Sequence, residues 1–169
     1  MITLIVGSTG AGKTTYAKSQ AKKLCAGIYS IDDWMRHLYW QDMPEQPDMQ
    51  WFVDNQEWYT ARISRSENLI KKLALERAAV QQRSLLDLGF STRNHRKNFI
   101  DYFKSNGFEV ETHFLNVDTA LRWSRVQERN KKKGETFVMT VDRAMFEYME
   151  DLFEAPTRDE GASLKVVTL

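Results

Sequence analysis

Gly7, Gly12, Lys13 and Thr14 stand in the order Gly-x-x-x-x-Gly-Lys-Thr, directly after the apolar run Ile2-Thr3-Leu4-Ile5-Val6. Residue types at this spacing can hold a polyphosphate. Glycines let the backbone wrap until successive N–H groups face one anion, and a helix that starts at the lysine adds its positive end. Within Gly7-Ser8-Thr9-Gly10-Ala11-Gly12-Lys13-Thr14-Thr15, the lysine reaches toward β- and γ-phosphates and the Thr14 hydroxyl toward Mg²⁺. The expected ligand is a nucleoside triphosphate, with ATP the default. A glycine-rich turn that merely joins strand to helix is the plainer alternative, and the strand before and helix after argue against it.

Such a loop serves ATPases, GTPases, motors and kinases alike, so other polar residues must separate them. In an open α/β sheet ligands gather at the carboxyl ends of the strands. Past the second strand lies Ser30-Ile31-Asp32-Asp33-Trp34-Met35-Arg36. A carboxylate there can take the proton of an attacking hydroxyl, and an arginine one turn later can hold the acceptor or the transferring phosphoryl group. Asp32 is read as the base and Asp33 as the cap of a helix beginning at Trp34. Past the third strand, Asp87 is placed to hold Mg²⁺ directly or through water. Arg93 and Arg96 are candidates for anion contacts, against an equal case for a solvated helix face. Arg122, Arg125 and Arg129 are spaced to share one helical face, where three cations repel unless an anion sits opposite. As a group they suit a lid closing over triphosphate, while pairing with acids such as Glu128 is the bland reading.

The elements that must position these groups follow from the pattern. Ile2–Val6, 26–32, Ser84–Leu88, 109–117 and 164–169 read as strands, each pair separated by helical pattern or a long crossover. Helices are expected from Lys13 to about Leu24, over 57–83, over 94–105, and from an Asp118-Thr119 cap to Asn130. Gln41 to Trp51, with Pro44 and Pro47, reads as an irregular insertion, its aromatic content too high for a solvated spacer. The fold class is α/β: a three-layer α/β/α sandwich of the P-loop NTPase type, with a mostly parallel five-stranded sheet and a helical lid.

Composition bounds the partners. At 169 residues one domain, 1–169, is expected. Lys+Arg of 24 against Asp+Glu of 23 leaves a net charge of +1, with no global basic field to gather nucleic acid. Cys25 is the single cysteine, so an internal disulfide framework and any multi-cysteine metal site are excluded, and a cytoplasmic setting is the easy expectation. No apolar stretch approaches the ~20 residues of a membrane span, and no membrane partner is expected. His37, His95 and His113 form no visible triad.

The strand-GSTGAGKTT opening, SIDDWMR, LLDLGFSTRNHR and FLNVDTALRWSRVQERN together resemble the small AAA-type P-loop kinases of the zeta-toxin, chloramphenicol phosphotransferase and polynucleotide-kinase-like group. The resemblance spans nearly the whole chain and implies transfer of the γ-phosphoryl of Mg-ATP to a hydroxyl. It gives Lys13 and Thr14 the phosphate and metal, Asp32 the base, Arg36 the acceptor side, and Arg125 with Arg129 the lid. It also sets Phe153-Glu154-Ala155-Pro156-Thr157 near the nucleotide base. The leading expectation is a kinase acting on a small molecule with a hydroxyl group. A 5′-hydroxyl polynucleotide kinase is disfavoured by the neutral charge and the lack of a basic stripe. A regulatory ATPase module without a dedicated acceptor is the alternative from another class. Trp34, Tyr39, Trp40, Trp51, Phe52, Trp58 and Tyr59 either recognise the acceptor or pack as core.

Overall fold

In the computed structural model, which describes all residues except 46, 135, 136, 138 and 169, five parallel strands form one sheet in the order β2-β3-β1-β4-β5. They are β1 (Ile2–Val6), β2 (Gly27–Ser30), β3 (Ser84–Asp87), β4 (Val110–Asn116) and β5 (Ser163–Thr168). The last residue of the expected fifth strand, Leu169, lies outside the described residues. β1 is buried at every position, as its mostly β-branched run, Ile-Thr-Leu-Ile-Val, requires at the centre of a sheet covered on both faces. The helices are α1 (Lys13–Leu24), α2 (Ile31–Tyr39), α3 (Met49–Asp54), α4 (Gln56–Ala79), α5 (Arg93–Ser105), α6 (Thr119–Lys132) and α7 (Arg143–Asp151).

Register brings the candidate residues together. Ser30 pairs with Asp87 across β2 and β3, and Leu4 pairs with Leu86 across β1 and β3. The ends of these three strands are therefore level. The loop after β1, the acids after β2 and the acid closing β3 all open onto one crevice.

Two expectations about local structure are corrected. β2 stops at Ser30 and α2 begins at Ile31, not at Trp34; the cap is Ser30, whose Oγ accepts from Asp33 N at 3.3 Å. Asp33 is thus a first-turn residue and caps nothing with its side chain. The insertion is also more regular than proline content suggested, with a 3-10 turn at Trp40–Asp42 and α3 capped by Asp48. Helix α7 was not expected at all. Its signal was present: Asp142 accepts from Met145 N at 2.8 Å, and Met145 and Phe146 are buried.

The main core joins β1, β3 and β4 to α2, α4 and α5 through residues such as Leu4, Leu86, Ile70, Phe99 and Phe103. Its largest fully buried side chain is Arg96, which forms a two-pronged ion pair with Glu160 at 2.7 Å for each bond and donates to Glu154 O at 2.7 Å. Arg93 pairs with Asp159 at 2.7 Å. Neither arginine contacts the crevice, which corrects their reading as anion ligands. Both tie α5 to the segment before β5.

Candidate active site

The crevice is a cavity of about 940 Å³ lined by the glycine-rich loop, the ends of β2 and β3, one face of α2, α3, the start of α4, and parts of α6 and α7. Gly7, Ser8, Thr9, Gly10, Gly12, Lys13, Thr14 and Thr15 all border it. Ala11 does not. It is fully buried with Ile5 and Ala17, and its N–H donates to Ser8 O at 3.2 Å, holding the loop's own turn.

The loop is shaped by what it packs against. A Cβ on Gly7 would meet Ala11 Cβ at 3.0 Å and Leu115 O at 3.1 Å. At Gly10, where φ is +81°, a Cβ would lie 2.5 Å from Arg122 O in α6. Arg122 itself is buried and turned away from the cavity, unlike the other two arginines of its helix. It donates to Val117 O at 2.9 Å, to Thr9 O at 3.2 Å and, in a two-pronged pair, to Glu150 of α7, one bond being 2.5 Å. Glu150 also accepts from Ser8 Oγ. Thr9 Oγ1 lies 2.9 Å from Met149 Sδ. α6 and α7 therefore clamp the loop from outside. Sequence reasoning missed Glu150 because nothing local marks an acid 142 residues from the serine it binds.

Inside the cavity, Lys13 Nζ donates to Gly7 O at 2.8 Å and Ser8 O at 3.3 Å. Burial lowers its pKa, opposed by the charges of Asp87 and Asp32 and reinforced by Arg129 and Arg122. Thr14 Oγ1 donates to Asp87 Oδ2 at 2.9 Å, and Asp87 is buried. Burial raises the Asp87 carboxyl above the usual range; Lys13 and the Thr14 bond pull it back, and Asp32 and Asp33 push it up. Asp32 keeps exposed surface, yet it lies on a concave wall where protein fills most of the surrounding volume. That enclosing volume, not the free surface, sets its environment and raises its pKa, with Lys13 and Arg129 opposing and Asp33 adding. The acids and Lys13 thus sense one another directly. Sequence placed them in three separate segments.

Arg129 feels Asp32, and its buried Nε has no hydrogen-bond partner among the described residues. Arg125 stands over the loop: a Cβ on Gly12 would meet only its guanidinium, at 3.9 Å. Arg36 borders the cavity while paired with Asp33 at 3.2 Å. Tyr59, from α4, is a further member. Burial and the negative charge of Asp32 push its phenol up to about 12. Phe153–Thr157 does not line this cavity; Phe153 stacks on Phe114 at 6.0 Å and Glu154 N donates to Ser91 O at 2.8 Å.

A nucleotide and its metal fit this donor set. The loop's N–H groups with Lys13, Arg125 and Arg129 supply positive potential for phosphates, while the Thr14 hydroxyl beside the Asp87 carboxylate is a hard oxygen pair of the kind Mg²⁺ takes.

The parallel sheet, the loop feeding α1 and the converging acids define a P-loop nucleotide-binding protein. An AAA-domain family profile matches residues 2–156, and the chain belongs to that family. Among solved structures, the chain is similar to a sugar kinase from Janibacter sp. at 17% identity and TM-score 0.62, covering 99% of this chain and 84% of that one. It is similar to Chaetomium thermophilum Kti12 in complex with ADP-AlF3 at 14% identity and TM-score 0.70, covering 99% and 89%. A gluconokinase from Sinorhizobium meliloti matches at 13% identity and TM-score 0.60, covering 98% and 81%. These likenesses establish the P-loop kinase fold. No curated protein sequence matches the chain. Among the described residues, no helix is long and apolar enough to cross a membrane.

Proposed function

We propose that the chain is a Mg-ATP-dependent kinase, one domain over 1–169, that transfers the γ-phosphoryl group to a hydroxyl of a small-molecule acceptor. The observation that carries this reading is Asp32. It stands in the same charge field as Lys13, Asp87 and Arg129, yet among the described residues makes no ion pair within hydrogen-bond reach, and it faces a cavity that continues well beyond the phosphate loop.

In this reading Gly7 to Thr15 cradle the β- and γ-phosphates with Lys13, and Thr14 with Asp87 holds Mg²⁺, whose bound charge offsets that of the phosphates. Asp32 accepts the acceptor's proton. Its raised pKa brings it nearer to neutrality and makes it a stronger base than an ordinary aspartate. Arg125 and Arg129 stabilise charge on the transferring group, and Arg36, released from Asp33, holds the acceptor. The sugar kinase and gluconokinase among the structural neighbours support a small hydroxylated acceptor.

The experiment is γ-phosphoryl transfer from labelled ATP with the wild type, Lys13→Ala and Asp32→Asn. Lys13→Ala should abolish nucleotide use. Asp32→Asn should keep ATP binding and cut transfer by about 10²-fold or more. Equal loss of binding in both variants refutes the division of roles. Release of inorganic phosphate at a rate no acceptor changes would favour a regulatory ATPase instead.

A further inference from the structure

Six of the chain's seven methionines, all but Met1, border this one cavity. They arrive from separate segments: Met35 from α2, Met43 and Met49 from the insertion, Met139 from the stretch before α7, and Met145 and Met149 from α7. Ordinary core packing accounts for Met35 and Met145, which are 4% and 2% exposed. It accounts in part for Met49 and Met139, which are half-buried against apolar neighbours, and not for Met43 and Met149, which keep open surface beside the cavity. Met49 and Met139 pack with Phe52, Val126 and Val141 in a cluster separate from the main core, so α3 and the α6–α7 side meet over the cavity through apolar contacts.

Polar groups share these walls with the thioethers, and some of them are already engaged. Thr60 Oγ1 donates to Gln56 O at 2.7 Å and His37 Nδ1 lies 2.7 Å from Asp33 O, while Arg36, paired with Asp33 at 3.2 Å, is the cation that the kinase reading gives to the acceptor's hydroxyl end. The Gln56 amide, the Tyr59 and Tyr148 hydroxyls and the Trp40 indole also border the cavity. A polyol or sugar acid would bring several hydroxyls to such a wall, and each left unmatched loses water without replacement. Thioethers are polarizable and unbranched, and they mould to irregular apolar or aromatic bodies.

We propose that the methionine-lined part of the cavity is an acceptor subsite for an alcohol whose hydroxyl is carried on an aromatic or aliphatic body, and that it discriminates against polyols and sugar acids. This rests on the kinase reading above and names its substrate class. Likeness to a sugar kinase and a gluconokinase, at 17% and 13% identity, fixes the fold and not the acceptor wall. In the reaction, the alcohol oxygen bonds to the γ-phosphorus as the bond from that phosphorus to the β,γ-bridging oxygen breaks. The alcohol's proton passes to the Asp32 carboxylate, and the products are a phosphate monoester and ADP.

The test uses the full chain with Mg-ATP and two acceptor sets, naphthalenemethanol and related aryl alcohols against gluconate and glucose, read as ADP formation and as phosphate ester by mass. Calorimetric titration of each compound into the protein with Mg-ADP reads binding without turnover. The expected result is a kcat/KM for naphthalenemethanol at least about tenfold above that for gluconate. Met43→Gln/Met49→Gln should raise the KM for naphthalenemethanol about tenfold with a much smaller change in kcat, and Met43→Leu/Met49→Leu should restore it. Preference for gluconate or glucose, or an unchanged KM in the glutamine variant, overturns the proposal. If no compound is phosphorylated, the kinase reading fails and calorimetry decides the subsite. Naphthalenemethanol binding that the glutamine variant weakens and the leucine variant keeps then supports an apolar ligand site, and absence of binding overturns it.

Discussion

Replacing Gly10 by alanine tests whether α6 shapes the phosphate loop. Gly10 occupies a variable position of the Gly-x-x-x-x-Gly-Lys-Thr pattern, so the motif alone permits any residue there. The structure does not. With φ at +81°, an alanine would carry the left-handed penalty of roughly 1–2 kcal/mol. Its Cβ would also lie 2.5 Å from Arg122 O and 3.0 Å from Val126 Cγ2, contacts that force backbone apart and cost about 1–3 kcal/mol more. Gly107 provides the control, because its φ is +83° with nothing within 4 Å of a Cβ, so Gly107→Ala should show only the first cost. At about 2–4 °C per kcal/mol for a chain of this size, Gly10→Ala should lower Tm by about 5–15 °C and Gly107→Ala by less than half as much. Thermal and urea unfolding of both variants measure the difference, and titration with Mg-ADP measures the loop. Displacement of the loop should weaken nucleotide binding in Gly10→Ala only. Equal Tm shifts with unchanged nucleotide affinity would refute the claim that the α6 backbone sets the loop's path.

Three further outcomes follow from the charges. If Asp32 is the base, the acid limb of the kcat–pH profile lies above pH 3.8; Asp33→Asn removes a like charge and should move it down, whereas Arg129→Gln removes an opposing one and should move it up. A limb that neither variant moves excludes Asp32. Glu150 is held below its usual 4.5, chiefly by the Arg122 bonds, so its stabilisation is complete above pH 4.5 and is lost as pH falls through the lower folded-state value. Glu150→Gln should lower Tm at neutral pH and narrow the gap to wild type in acid, and parallel Tm–pH curves would contradict this. Arg96→Met strands Glu160 in the core and should cost about 3–5 kcal/mol by urea unfolding, with Arg96→Met/Glu160→Leu recovering part of it. A single variant as stable as wild type would show that the pair does not hold α5 to the segment before β5.

The sequence by itself determined the phosphate loop, the parallel α/β class, the acids that follow β2 and the acid that closes β3. Each is a local statement: a strand buried on both faces reads as a short run of mostly apolar, mostly β-branched residues, and a turn that wraps an anion needs glycine at fixed offsets from a lysine. Helix α1 starts and ends where the pattern places it, and Asp118 caps α6 through Ala120 N and Leu121 N. Only the tertiary structure decided which of several equivalent-looking charges face the cavity. Arg122, Arg125 and Arg129 share a helical spacing, yet Arg122 turns inward to Glu150 while the other two border the site. Arg93 and Arg96 look as available as either, and their partners Asp159 and Glu160 lie 66 and 64 residues away. The methionine wall was illegible for the same reason. Met35 on α2, Met49 on α3, the Met145/Met149 pair on α7 and the methionines of the segments between carry no period across elements, and they become one surface only when the sheet order and the α6–α7 packing bring them around one space.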